Sequence, residues 1–108
     1  MEMNIELLRH LAQIHRPIDP EADEMWHYMI LNMEEDALDP DALRSVADAM
    51  ERESNRGIGF REIQFERVTE HPELIEMEYY EVNLVCSRES LAAHIRKVLL
   101  LYDAAMES

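Results

Sequence analysis

Glycine is almost absent from this chain: of its 108 residues, only Gly57 and Gly59 are glycine. A glycine-rich loop that cradles a phosphate needs several such residues in a short stretch, so the sequence excludes a nucleotide-binding loop of that kind. Cysteine is equally scarce, since Cys86 stands alone. It has no partner for an internal disulfide, which fits a reducing compartment, and we read it as a small core residue.

Long apolar runs are also missing. The two longest cover residues 28–31 and 98–102, far below the ~20 residues that cross a bilayer. Residues 1–6 are acidic, whereas a secretory signal begins with a basic stretch followed by an apolar one. We therefore expect a cytoplasmic protein with no membrane association.

Basic residues are outnumbered: 10 Lys and Arg stand against 24 Asp and Glu, for a formal net charge of −14 at pH 7. Such a charge repels nucleic acids and anionic membranes and attracts basic proteins, so we expect no direct nucleic-acid binding. Apolar residues still make up 47% of the chain. That is enough for a core, and a chain of 108 residues has no room for a second one. We therefore expect a single acidic domain over residues 1–108.

Four helices are predicted by the spacing of apolar residues, over residues 4–15, 20–35, 40–54 and 88–106. Asp19 and Asp39 each precede a proline, the pattern of an N-cap followed by proline at the first helical position. Ser87 is the expected cap of the last helix, and Gly57 is expected to close the third.

The stretch from Ile58 to Cys86 is rich in β-branched and aromatic residues. It predicts two strands, 58–68 and 74–86, joined by a turn that contains Pro72. The predicted fold class is therefore α+β, with three N-terminal helices, a long two-stranded antiparallel hairpin and a C-terminal helix.

A register that places Val68 opposite Leu74 makes every facing pair of this hairpin apolar. The further pairs are Phe65–Met77, Ile63–Tyr79, Phe60–Val82 and Ile58–Leu84. These pairs do not share a face, because both strands switch faces near Arg61 and Glu81. Either a bulge or strong coiling brings both halves onto one core, or the half next to the turn packs against a second body.

Surplus apolar surface indicates a homodimer. On the last helix Ala93, Leu100 and Ala104 lie about opposite the residues expected in the core. A helix that is apolar on two sides is either sandwiched or at an interface. The expected dimer interface consists of these three residues and four residues of the hairpin, namely Ile63, Phe65, Met77 and Tyr79.

Acidic residues concentrate on the hairpin, where residues 70–81 hold 5 acids and no base. In the predicted register Glu66 faces Glu76, an unfavourable pair that a protein can retain for a cationic partner. Such a face can equally be a solvated surface that keeps the protein soluble. The expected partner-binding residues are Glu66, Glu70, Glu73, Glu76 and Glu78 on the hairpin, with Glu34, Glu35 and Asp36 second.

No pattern points to catalysis, a cofactor or a metal. Among the five histidines, His10 and His15 lie on different faces of their helix, and none has the compact spacing of a zinc site. With 24 acids in the chain, no pair stands out as a general acid and base. We therefore expect that the protein is not an enzyme and uses no cofactor.

These patterns favour an acidic protein that binds a basic protein such as a nuclease, a toxin or a nucleic-acid-binding protein. Inhibitors, immunity proteins, nucleic-acid mimics and phage anti-defence proteins share this size and charge. The alternative is a dimeric adaptor or secretion-chaperone-like protein that holds a partner segment on its apolar helix faces. A small enzyme or metal-dependent regulator is the third interpretation, which metal analysis of the purified protein would test.

Overall fold

The computed structural model describes residues 3–35, 37–52 and 58–107. Within these residues lie four helices: α1 Ile5–Ile14, α2 Pro20–Glu34, α3 Pro40–Glu51 and α4 Arg88–Glu107. All four predicted helices are confirmed, with small differences at their ends. Gly57, predicted to close α3, lies outside the described residues.

Three of these helices begin at the cap that the sequence predicts. The carboxylates of Asp19 and Asp39 accept hydrogen bonds from backbone amides of their own helices at 3.1 and 2.8 Å, and a proline follows each of them. The Ser87 hydroxyl accepts a hydrogen bond from the amide of Ser90 at 3.2 Å. These bonds satisfy amides that the first helical turn leaves without a partner.

The chain between α3 and α4 forms a four-stranded antiparallel sheet whose strands neighbour one another in chain order. The strands are β1 Ile58–Phe60, β2 Ile63–Val68, β3 His71–Tyr79 and β4 Val82–Ser87, of which β1 is a short edge strand. The α+β fold class is confirmed. The predicted two-stranded hairpin is wrong, because tight turns at residues 61–62 and 80–81 divide each predicted strand in two.

Both additional turns lack the residues that usually mark a hairpin. The favoured two-residue hairpin loops need a positive φ, which glycine and asparagine adopt most easily. Here Arg61 and Tyr80 adopt φ values of 46° and 52°, in the left-handed region that a Cβ atom disfavours. The change of face near Arg61 and Glu81 was the signal of these turns, since the chain reverses direction there. Neither a bulge nor a second body is needed to explain it.

The predicted register is right at the centre of the sheet and wrong towards its ends. Ile63 lies opposite Tyr79 and Phe65 lies opposite Met77, as predicted. Elsewhere the strands have other partners: Phe60 faces Ile63, Ile58 faces Phe65, Val68 faces His71, Val82 faces Tyr79, and Leu84 faces Met77. Most of these differences follow from the two additional turns. The partner of Val68 differs because the register shifts beside it, between Arg67 and Val68.

The helices cover one face of the sheet, which we call the inner face. α2 contacts β4, α4 contacts β3 and β4, and α1 and α3 pack against α4. The core between these layers contains Trp26, whose indole nitrogen donates a hydrogen bond to the carbonyl of Ala12 at 2.9 Å. The sheet contributes buried side chains from three strands, namely Ile63, Phe65, Ile75, Met77 and Cys86.

Three hairpin residues predicted at a dimer interface lie in this core. Ile63, Phe65 and Met77 are at most 1% exposed. Their face of the sheet is covered by the chain's own helices, so these three side chains offer no surface to a second copy. Tyr79, the fourth, is half-buried.

Candidate functional site: the acidic sheet face

The outer face of the sheet, opposite the helices, is mostly polar, although exposed Val85 lies there beside Glu76. Side chains alternate between the two faces along a strand, so the residues that flank buried Phe65 and Met77 point outward. The name acidic sheet face is used for five residues there: Gln64 and Glu66 on β2, Glu76 and Glu78 on β3, and Asn83 on β4. Four of them are exposed and Glu76 is half-buried.

The three carboxylates of this face are close neighbours in the sheet. Glu66 lies directly opposite Glu76, as predicted, and facing Cβ atoms in such a pair are about 4.5–5.5 Å apart, where like charges destabilise the sheet. Glu78 lies between Gln64 and Asn83 in the same way. The Asn83 side-chain amide donates a hydrogen bond to Glu76 Oε1 at 2.7 Å, which holds that carboxylate on the face.

The acidic sheet face is a surface and not a pocket. Gln64 and its three glutamate neighbours enclose a depression of only about 20 Å³, room for about one water molecule. A small organic molecule buries most of its surface in a much larger cleft. The shape therefore suits a macromolecular partner better than a metabolite.

No base neutralises these carboxylates within the described part of the chain. The arginine ion pairs found there join helical residues or the residues just before a helix. They are Arg16–Asp23, Arg44 with Asp41 and Asp103, and Arg96 with Asp48 and Glu51. Glu66, Glu76 and Glu78 take part in none of these ion pairs.

The remaining predicted partner-binding residues are placed elsewhere. Glu70 and Glu73 are exposed at or next to the turn that joins β2 to β3, where Glu73 Oε1 is 3.5 Å from His71 Nδ1. Glu34 and Glu35 end α2, and Glu34 accepts a hydrogen bond from the side chain of Gln13 at 3.2 Å. Asp36 lies outside the described residues. The structure thus joins three of the eight predicted residues into one face.

The helical part of the predicted dimer interface is on the surface. Ala93, Leu100 and Ala104 are all exposed, and Leu100 is 70% exposed. Their spacing places them along one side of α4. This side of α4 is available for contact with another molecule.

An aromatic cluster that the sequence did not predict lies at the end of the sheet that holds the turns at residues 61–62 and 80–81. Tyr28 on α2 contacts Tyr79 on β3, and Tyr79 contacts Tyr80 in the next turn. The adjacent Tyr79 and Tyr80 were the available signal. Their meeting with Tyr28 depends on how α2 packs against the sheet, which periodicity alone does not give.

The most reactive side-chain types offer little chemistry. Burial first, and then the charges of Asp19 and Glu21, raise the pKa of the Cys86 thiol to about 12, so it stays protonated at neutral pH.

A cavity of about 440 Å³ between α3 and α4 is lined by Arg88 and Arg96. Arg88 already donates to the carbonyls of Met50 and Pro72. The described residues contain no group of three or more His, Cys, Asp or Glu side chains placed to hold a metal ion.

Comparisons with protein-family models, curated proteins and solved structures return no match. Among the helices of the described residues, none combines the length and the apolar character needed to cross a membrane.

Proposed function

We propose that this protein binds a basic protein through the acidic sheet face, and that it acts by covering a cationic surface of that partner. The observation that carries the proposal is the Glu66–Glu76 pair, two carboxylates held opposite each other on an open sheet and not paired with any base of the described residues. Their repulsion lowers the stability of the free protein. A lysine or arginine placed between them by a partner would turn this repulsion into attraction.

Shape and charge together support a protein partner of the inhibitor, immunity, nucleic-acid-mimic or anti-defence type. A nuclease, a toxin or a nucleic-acid-binding protein presents a basic surface of the kind that the acidic sheet face complements. The net charge of −14 adds long-range attraction, which raises the rate of encounter with such a surface. No catalytic step is part of this proposal.

A second candidate function rests on α4. The exposed side of this helix carries Leu100 between Ala93 and Ala104, an apolar strip that suits a second copy or a partner segment. In this case the protein is a dimeric adaptor or secretion-chaperone-like protein. Its acidic surface then serves solubility.

The first experiment is affinity capture of partners at low salt, with identification of the captured proteins by mass spectrometry. The test variant carries Glu66→Gln, Glu76→Gln and Glu78→Gln. The control variant carries Glu6→Gln, Glu24→Gln and Glu107→Gln. These three control acids are exposed and lie on helices, outside the ion pairs of the described residues. Both variants lose three negative charges, so they differ only in where the charge is removed.

We expect a basic protein to be captured by the wild type and the control variant and to be lost with the sheet variant. Equal capture by all three proteins, or no capture by any, would overturn the role of the sheet carboxylates. Salt then separates the two candidate functions. Between about 0.1 and about 1 M salt the Debye length falls from about 10 to about 3 Å, which releases an electrostatic partner but retains one held by the apolar side of α4.

A further inference from the structure

Four aromatic side chains form a continuous row at the end of the sheet where the turns at 61–62 and 80–81 lie. Ring centroids are 5.5 Å apart between His27 and Tyr28, 5.2 Å between Tyr28 and Tyr79, and 4.9 Å between Tyr79 and Tyr80. We call these four residues the aromatic row. Tyr28 and Tyr79 are half-buried, whereas Tyr80 remains 65% exposed at the end of the row.

The exposed ring of Tyr80 is held in an unfavourable backbone conformation. Its φ of 52° lies in the left-handed region, where glycine, asparagine and aspartate are the usual residues and a bulky side chain is rare. Strain of this kind clusters at functional sites, because the gain there comes from the position of the side chain. A glycine or an asparagine would form the same turn with less strain but without the ring.

Carboxylates lie near Tyr80. The register that pairs Ile63 with Tyr79 places Glu62 next to Tyr80 in the facing turn, and the negative charges of Glu62 and of Glu35 at the end of α2 act on the Tyr80 hydroxyl. Desolvation, followed by the charges of Glu62 and Glu35, raises the pKa of the Tyr80 hydroxyl above its usual value of 10.0. The hydroxyl is therefore protonated at neutral pH. Arg61, the neighbouring base, forms no ion pair with any described residue.

An aromatic face beside carboxylates is a recognition site for an organic cation. The ring attracts a cation through its quadrupole, and arginine is found in such contacts more often than lysine. A guanidinium group can stack flat on a tyrosine ring while its edge donates hydrogen bonds to a carboxylate, whereas an ammonium group is a compact point charge that is strongly hydrated. Tyrosine and arginine are also the residue types that most often dominate the energy of an interface.

We propose that the Tyr80 end of the aromatic row binds an arginine side chain of the partner, with the guanidinium on the tyrosine ring and Glu62 as the hydrogen-bond acceptor. This inference rests on the proposed function for the source of the arginine, a basic protein. It adds a specific anchor at the edge of a surface that otherwise attracts any positive charge. Glu35, predicted from the sequence as a partner-binding residue, contributes to the charge of this anchor.

The test uses N-acetylarginine amide as the probe and NMR of the isotope-labelled full-length protein as the readout. We expect saturable shift changes in the ring signals of Tyr80 and in the amide signals of Glu62 and Glu81. Nα-acetylcitrulline amide, which has the same shape without the charge, should cause no shift changes. Nα-acetyllysine amide, which keeps a free ε-ammonium group, should cause smaller shift changes than the arginine probe. Tyr80→Asn keeps a residue that tolerates the turn and should weaken binding about fivefold or more. Tyr80→Phe keeps the ring face and should retain most of the binding.

Equal shifts with the citrulline probe, or unchanged binding by Tyr80→Asn, would overturn the arginine anchor. Shift changes confined to Glu66, Glu76 and Glu78 would overturn it as well, since they report general attraction to the acidic sheet face. The proposed function fails separately. If the Glu66, Glu76 and Glu78 variant still captures the partner while the Tyr80 shifts persist in the wild type, the anchor stands and the role of the acidic sheet face does not.

Discussion

Two acidic regions of this protein differ in whether their carboxylates form ion pairs with described bases. On the helical side, Asp41, Asp48, Glu51 and Asp103 on α3 and α4 are bound by Arg44 and Arg96, with N–O distances from 2.5 to 3.0 Å. On the acidic sheet face, three carboxylates lie side by side and no described base reaches them. Asp48, Glu51 and Asp103 are part of the fold, because their ion pairs join α3 to α4, whereas Asp41 pairs with Arg44 within α3. The sheet acids form no ion pair with a described base. Glu76 accepts a hydrogen bond from Asn83 on β4, but its charge and that of Glu66 oppose the pairing of β2 with β3.

This difference locates the surface that we assign to a partner. Net charge alone does not identify a binding face, since a solvated acidic surface is common. Carboxylates that have no described ion pair, in a protein whose helical carboxylates are paired with arginines, are a more specific sign of a binding face. We therefore expect substitutions that remove contacts between the helices to lower the free energy of unfolding, whereas substitutions of the sheet carboxylates should not lower it.

The largest effect is expected for a buried polar group of the helical side. His94 on α4 is 8% exposed, its Nε2 lies 2.6 Å from the carbonyl oxygen of His15, and its ring meets Trp26 edge to face at 4.7 Å. His94→Ala removes both contacts and leaves a carbonyl without its partner, so we expect a loss of about 2–4 kcal/mol in the free energy of unfolding. Urea denaturation measures it. The matched change at exposed His10 should alter stability by less than about 0.5 kcal/mol, and equal losses would contradict the assignment.

The same histidine makes stability depend on pH. Burial, the main cause, lowers the pKa of His94 below its usual value of 6.5, and Lys97 and His15 also lower it. The hydrogen bond to the His15 carbonyl and the charge of Asp23 act in the opposite direction. The unfolded chain therefore binds a proton at a higher pH than the folded one, and stability rises with pH in that range. We expect stability to fall as pH drops below about 6.5. Denaturation between pH 7.5 and pH 5.5 should show a smaller fall for His94→Gln than for the wild type.

A smaller loss is expected for the arginine that joins the two acidic helices. Arg96 on α4 binds Asp48 and Glu51 of α3 at 2.5 and 2.6 Å, and its side chain is 39% exposed. Solvent screening limits each pair, so Arg96→Ala should lower the free energy of unfolding by about 1 kcal/mol. Lys97→Ala, which removes an exposed base that forms no ion pair with a described residue, is the control and should change little. A loss as large at Lys97 would show that the pairs contribute nothing beyond overall charge.

The smallest effect, of opposite sign, is expected on the acidic sheet face. Replacing Glu66, Glu76 and Glu78 with glutamine removes repulsion while keeping side-chain size. The free energy of unfolding should stay constant or rise by up to about 0.5 kcal/mol. Thermal and urea unfolding of the triple variant beside the wild type measure it. A clear loss of stability would mean that these carboxylates support the fold, and the contrast between the two regions would then fail.

Much of this architecture follows from local patterns in the sequence. The Asp-Pro pairs at 19–20 and 39–40 place two helix starts correctly, because capping depends on adjacent residues. Strict alternation around Phe65 and Met77 places Glu66 opposite Glu76, because one face of these strands is buried and a slip of one residue would expose it.

The missed features depend on tertiary structure. Arg61 and Tyr80 occupy turn positions where glycine or asparagine is usual. Because neither residue type marks a turn, the residue pattern predicted two strands where the chain forms four. That error placed Ile63, Phe65 and Met77 at a dimer interface, whereas the helices cover them. The aromatic row was not foreseen because Tyr28 reaches Tyr79 only when α2 packs against the sheet.

The most direct measurement is the dissociation constant of the captured partner for the wild type and the two triple variants over a series of salt concentrations. We expect the Glu66, Glu76 and Glu78 variant to bind at least about tenfold more weakly at low salt, and with a shallower salt dependence, because the contacts that salt screens have been removed. The Glu6, Glu24 and Glu107 variant should stay close to the wild type. Equal weakening of both variants would contradict a specific acidic sheet face, since only total charge would then matter.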